Sequence, residues 1–125
     1  MPVPTYMQKG SKGPCVSLLQ AFLCGFGHGG KIVFDQEYGD MTAKAVAGFQ
    51  FEHGLDNNGH FDPVTRARAN DVYGFDFEAA CETVPGVTEF IQPDGSVISW
   101  WPGDAEKIAV RPGRLGFERG AAEMG

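Results

Sequence analysis

The chain has 125 residues, 42% of them hydrophobic and ten of them Phe, with a formal net charge of −6. That is enough apolar material for one packed core, and no run approaches the ~20 apolar residues of a membrane-spanning helix. Residues 1–70 hold six Lys/Arg and six Asp/Glu whereas residues 71–125 hold four and ten, a distribution that argues against phosphate neutralisation and hence against nucleic-acid binding.

The start, "MPVPTYMQKG", lacks the apolar core of a signal peptide. The expectation is a chain made in the cytoplasm that stays there, or that leaves by lysis or as part of an assembly. Residues 1–9 read as a loose N-terminal arm. Pro14 suits a first helical position, where its missing N–H would be unpaired anyway. Val16, Leu19 and Leu23 follow at helical spacing, widened by Leu18 and Phe22, so a first helix is predicted over about 13–24. "CGFGHGG" ends it as a glycine turn. "KIVFDQEYGD" is then an extended approach to a second helix over about 41–53. Asp40 is expected to cap that helix, Val46 and Phe49 to face the core, Ala43, Ala45 and Ala47 to allow close packing, and Gly54 to close it. "LDNNGHF" is a turn, and Asp62-Pro63 opens a third helix over about 63–71 with a weak stripe of Val64 and Ala67.

The entries to the second and third helices repeat at an offset of 23 residues: Tyr38 aligns with Phe61, Gly39 with Asp62 and Thr42 with Thr65. In each unit an aromatic plugs the core just before the helix. The Gly39/Asp62 position bends the chain, and a first-turn Thr offers a hydroxyl to nearby backbone.

These residues resemble a known family. The pattern G-x-x-V-x-x-L-Q-x-x-L stands here as Gly13, Val16, Leu19, Gln20 and Leu23. The pattern D-x-x-[FY]-G-x-x-T-x-x-A-V-x-x-F-Q stands as Asp35, Tyr38, Gly39, Thr42, Ala45, Val46, Phe49 and Gln50, followed by Gly54-Leu55. Residues 8–70 thus resemble the three-helix peptidoglycan-binding domain appended to bacterial and phage cell-wall hydrolases. The resemblance implies a mainly α fold, a three-helix bundle over residues 10–72, followed by an acidic C-terminal extension, 73–125. Three positions depart from the pattern: Gln36 and Asp62 stand where Gly is usual, and Arg68 where a small apolar residue is usual.

In the extension a short helix over about 76–82 is predicted, with Phe75 and Phe77 docking back on the bundle. "VTEFIQPDGSVISWW", residues 87–101, reads as a β-hairpin around Pro93-Asp94-Gly95. An isolated hairpin is marginal in water, so it must pack on the bundle, on the tail strand "KIAVRPGRLGF" or on another chain. The last eight residues are expected to fray.

No catalytic or cofactor signature stands out, so an enzyme and a cofactor are both unexpected. There is no nucleophile elbow and no H-E-x-x-H. "GFGHGG" lacks the Lys-Ser/Thr of a phosphate loop and follows a helix. "DNNGHFDPVTRA" fails as a calcium loop, with Phe61 and Ala67 where Gly and an acid are needed. His28, His53 and His60 have no zinc spacing, and Asp35 and Glu37 lie too close in extended chain to act as a glycosidase pair. Cys15 and Cys24 fall roughly 13 Å apart on one helix, so only Cys81 is able to pair with either, and free thiols are expected.

The ligand that the resemblance implies is peptidoglycan, a polymer of hydroxyls, amides and terminal carboxylates. Suited side chains are Tyr38, Gln50, His53, Asn57, Asn58 and His60. Each has a plainer alternative: Gln20 and Gln50 tying loop backbone, Tyr38 in the core, His53 at a helix end, Asn57-Asn58-Gly59 as turn chemistry. Trp100 and Trp101 are expected to dock a partner, as aromatics are enriched in interface cores. The expected function is a non-catalytic wall-binding module in a larger assembly such as a phage virion, with other proteins gripped through the extension. The alternative is the same fold used only as a protein–protein interaction brick.

Overall fold

The structure, a computed structural model, describes residues 3–25, 32, 34–102 and, as backbone, 109–111. The glycine turn beyond Gly25 and the last eight residues lie outside the described residues. Four helices precede a sheet: α1 Pro14–Gly25, α2 Asp40–Glu52, α3 Pro63–Tyr73 and α4 Phe77–Cys81, then β1 Thr88–Ile91, β2 Val97–Trp100 and β3 Ala109–Arg111. The mainly helical fold with an antiparallel hairpin agrees with the sequence reading.

α1 buries the predicted stripe, Val16, Leu19, Phe22 and Leu23, against Val46 and Phe49 of α2. Phe22 is a hub: it meets Phe49 edge-on at 5.7 Å and stacks on Phe75 at 4.3 Å between centroids. Gly54, at φ +70°, closes α2 as expected. The start of α2 differs from expectation. Gly39 is the N-cap residue and offers no side-chain cap. Asp40 lies inside the first turn, where its carboxylate accepts from Lys9 Nζ at 2.6 Å. α3 starts as predicted, with Asp62 Oδ1 accepting from Thr65 N–H at 2.8 Å. Its inward face, however, is Thr65 and Ala69; Val64 is 61% exposed and Ala67 is also exposed. The few apolar residues of this helix, small or β-branched and interleaved with polar ones, define no stripe, and the buried Thr is needed for the contact described below.

The N-terminal segment is not a loose arm. Val3 and Met7 are buried, and Met7 exchanges both backbone hydrogen bonds with Phe61, at 2.9 and 3.1 Å. Three residues on, Gly10 N–H donates to Tyr38 O and Tyr38 N–H to Ser11 O, each at 2.9 Å. One short segment, turning at Lys9-Gly10, thus pins both aromatic plugs. Tyr38 and Phe61 are 2% and 1% exposed, as the repeat predicted.

The extension joins the same framework. Lys12 exchanges backbone bonds with Glu89 of β1, at 2.7 and 3.0 Å, while its neighbour Gly13 donates to Gln36 O. Ser11 Oγ accepts from Ile91 N–H and Thr88 Oγ1 from Cys15 N–H, both at 3.0 Å. β1 pairs with β2 through the predicted turn, Thr88 opposite Trp100 and Phe90 opposite Ile98, and β2 pairs with the tail strand β3. Phe77, Phe90 and Trp100 are buried, each stabilising the join by roughly 2–3 kcal/mol. Trp100 therefore belongs to the chain's own core, edge-on to Phe90 at 6.5 Å, and is not a partner-docking residue. Trp101 is half-buried.

Gly13 makes the join possible. Its φ is +136°, and a Cβ there would come within 2.5 Å of Thr88 Cα and 2.6 Å of Val87 O. Both obstacles are backbone. Gly13→Ala is expected to cost about 2–4 kcal/mol in urea unfolding, with bundle and hairpin still melting in one transition; a loss below about 0.5 kcal/mol, the size of an ordinary surface change, would remove Gly13 from this role.

The three cysteines are free, Cys15 and Cys81 buried and Cys24 exposed. The thiols of Cys15 and Cys81 are hydrogen-bonded across α1 and α4, and that bond together with burial pushes the Cys81 thiol well up, so it stays protonated. A maleimide is expected to modify Cys24 alone in the native protein and all three thiols in denaturant, read by intact mass.

Candidate functional site

The two repeat units are held by the same device, a buried glutamine. Gln20 of α1 reaches the first loop. Its Nε2 donates to Thr42 Oγ1 at 3.1 Å, to Glu37 O at 2.9 Å and to Asp35 Oδ1 at 3.2 Å, and its Oε1 accepts from Gln36 N–H at 3.3 Å. Gln50 of α2 does the same for the second loop. Its Nε2 donates to Thr65 Oγ1 and His60 O, both at 2.9 Å, and to Asn58 Oδ1 at 3.2 Å, while Oε1 accepts from Gly59 N–H at 2.9 Å. The offset of 23 residues maps every loop partner of Gln20 onto a partner of Gln50. Asp35 and Asn58 also each accept from the N–H two residues on, Glu37 at 3.0 Å and His60 at 2.9 Å.

The middle residue of each turn is left-handed. Gly59 has φ +80°, and a Cβ there would stand 3.0 Å from Ala43 O. Its counterpart Gln36 has φ +66° despite carrying a side chain, the only such non-glycine among the described residues. The departure at Gln36 thus leaves the turn shape intact at a cost of about 1–2 kcal/mol for a left-handed side-chain residue. Arg68 also has a use: its guanidinium donates to His53 O, at the end of α2, at 2.6 Å.

These bonds decide which expected site residues face a ligand. Gln50 is 0% exposed and both ends of its amide are engaged. Tyr38 is buried, its hydroxyl donates to Gly59 O at 2.6 Å, and burial pushes its phenol far up. Both are framework, and neither offers a polar atom to a wall polymer. Asn57 and Asn58 are exposed and His53 and His60 half-buried. Asn58 Oδ1 is occupied by the turn.

Two tyrosines missing from the sequence reading orient the histidines. Tyr6 Oη shares a hydrogen bond with His60 Nδ1, and the rings meet edge-on at 5.6 Å. Tyr73 Oη lies 3.3 Å from His53 Nε2, and its ring is edge-on to the imidazole. Phe49 packs on the same imidazole, 4.6 Å between centroids. Tyr6 falls in the segment read as an arm, where no periodicity marks a buried face; Tyr73 lies two residues past the predicted end of its helix. The loop 53–60 is therefore a rigid strip carrying two oriented imidazoles and the exposed Asn57.

With this geometry in view, the family comparison is informative. Residues 12–68 match the model of a family described as "Putative peptidoglycan binding domain", in agreement with the resemblance read from the sequence. The match spans α1 to the middle of α3, including both glutamine clamps. Neither the comparison with curated proteins nor that with solved structures gave a match.

Removing either clamp leaves buried loop donors and acceptors unmatched. Gln50→Ala and Gln20→Ala are each expected to cost about 2–4 kcal/mol in chemical unfolding. The loops differ in acid. The Glu37 N–H and then the Gln20 amide hold the Asp35 carboxyl below the ordinary carboxylate range, although Asp35 itself is exposed. A depressed carboxyl contributes stability that is present above its ordinary pKa and lost as pH falls through the folded value. The first loop should therefore loosen below about pH 4, whereas neutral Asn58 gives the second loop no such dependence. Asp35→Asn, which copies the second loop, is expected to keep the fold and shrink the loss of stability between about pH 5 and pH 3; an unchanged acid limb in urea titrations would show that Asp35 has no part in it.

Proposed function

We propose that the chain is a non-catalytic module that binds bacterial peptidoglycan. The single observation that carries this reading is the family match over residues 12–68. The clamped construction supports it, because a repeating polymer of fixed geometry is best met by a preorganised surface that loses little entropy on binding. The contact strip is loop 53–60, with His53, Asn57 and His60 supplying hydrogen bonds to sugar hydroxyls and peptide amides. A strip this shallow binds weakly, so residence on the wall comes from multiple copies or from a tethered partner. We place the chain in a larger assembly such as a phage virion or lytic machinery, acting at the wall from within that particle or after lysis. The extension, together with the half-buried Trp101, is the side available to other proteins.

A second reading is favoured by one observation. Phe51 is 74% exposed near the end of α2, and Phe34 is 53% exposed. Large exposed apolar side chains suit a protein contact, so the same fold would serve as an interaction brick without wall binding.

Pull-down with purified peptidoglycan sacculi separates the two. The full chain is expected to co-sediment, and a His53→Ala/Asn57→Ala double variant to retain its fold while losing about tenfold in apparent affinity, roughly 1.4 kcal/mol. Wild-type protein left wholly in the supernatant, with Phe51→Ser disrupting capture by particle proteins, would favour the second reading.

A further inference from the structure

Between α3 and the start of α4 lies an open cleft of about 260 Å³, lined by Arg66, Asn70, Phe75, Asp76, Phe77 and Glu78 among others. It is built partly from the extension, and loop 53–60 contributes nothing to it. Arg66 forms its wall. The guanidinium lies 5.0 Å from the centre of the Phe77 ring and donates through one nitrogen to Pro4 O at 2.8 Å. Burial lowers its pKa, the mark of a cation taken partly out of water. Yet among the described residues it forms no ion pair. A guanidinium carries five N–H donors in a planar fork suited to a carboxylate, and the single bond to Pro4 O leaves most of that fork for something else. The Phe77 ring on one side and the bond to Pro4 O hold the guanidinium in place, so less side-chain freedom remains to be lost on binding.

The two carboxylates on the cleft set a second requirement. Asp76 caps the Ala79 N–H at 3.0 Å through one oxygen, and Glu78 is exposed. Neither neutralises Arg66 at contact distance, although both attract it at longer range. A simple anion entering the cleft would gain Arg66 and be repelled by two acids. A simple cation would meet the reverse. A ligand carrying a carboxylate and an ammonium a few ångströms apart satisfies both.

We propose that the α3–α4 cleft binds a short zwitterionic peptide end, its carboxylate on the Arg66 guanidinium and its ammonium beside Asp76 and Glu78. This rests on the wall-binding reading for the source of the ligand. Uncrosslinked stem peptides of peptidoglycan present such an end, a diamino acid with a free side-chain amine next to a terminal carboxylate. Crosslinking consumes that amine, so the cleft would prefer open wall to closed wall.

The test titrates the full-length ¹⁵N-labelled protein with Nα-acetyl-L-lysyl-D-alanine, with its Nε-acetyl derivative and with its C-terminal amide. The parent peptide is expected to shift the amides of residues 66–70 and 75–78 saturably, with Kd on the order of 1–10 mM for so small a ligand. Each blocked peptide should bind about tenfold more weakly, a difference of roughly 1.4 kcal/mol. Arg66→Lys, which keeps the charge and loses the fork, should weaken the parent peptide. Glu78→Gln, at an exposed position, should weaken the parent but not the Nε-acetyl peptide. Equal binding of the three peptides, shifts confined to other residues, or no saturable shift by about 50 mM, well past the range expected for a ligand this small, would overturn the proposal. Sacculus retention that persists without peptide binding would end the cleft proposal and leave the wall reading standing. Peptide binding without sacculus retention would do the opposite.

Discussion

A primary amide buried at each of two helix starts is the interaction on which the rest of this structure depends. Gln20 and Gln50 each turn both ends of the carboxamide to one turn, donating to a threonine hydroxyl, a backbone carbonyl and an Asx oxygen, and accepting a backbone N–H. Only a carboxamide offers that set, and asparagine's is one methylene shorter: glutamate has no donor when ionised, and methionine has neither strong donor nor strong acceptor. The turn thereby has its inward-facing polar groups matched inside the protein, which is the condition for packing that side against the core. Among the described residues no buried side-chain nitrogen or oxygen lacks a partner. Once the turn is fixed, its aromatic enters the core, the next helix starts in a set direction, and the N-terminal segment finds edges to pair with.

Much of this was legible in the sequence, for identifiable reasons. The stripes of α1 and α2, the Asp62-Pro63 start, the plugs Tyr38 and Phe61 and the Pro93-Asp94-Gly95 turn are local signals, each carried by a few adjacent residues. Reading the repeat also exposed the correspondence of Thr42 with Thr65. What stayed hidden was non-local. Gln20 lies 22 residues from Thr42, and a buried glutamine looks like a surface one in a string of letters, so the sequence leaves Gln50 open between a ligand contact and a tie to loop backbone, and only the fold decides for the tie. Backbone pairing by single residues, as at Met7 and Lys12, has no period, which is why the first residues read as an arm. Trp100 was assigned to a partner because nothing in the sequence showed that the hairpin lies directly over α1.

The departures from the family pattern are each accommodated, and differently. Asp62 replaces the small residue of the first unit with a side-chain cap, so the second helix entry has a bond the first lacks. Gln36 tolerates a left-handed backbone because its N–H is held by Gln20. Arg68 takes up a carbonyl at the end of α2 that a small apolar residue would leave to water. These changes add polar contacts around the two turns without altering their path, consistent with a segment that keeps the family's fold over residues 12–68.

The backbone exchange between Lys12 and Glu89, with the Thr88 hydroxyl against the first turn of α1, has a mechanical consequence. The hairpin hangs from no tether. Its strand lies alongside the segment that also holds both turns, so a pull along that strand is opposed by several hydrogen bonds at once, side by side, instead of one after another. An object gripping the sheet would transmit tension to the helices with almost no slack, and the molecule would behave under load as a rivet between two bodies.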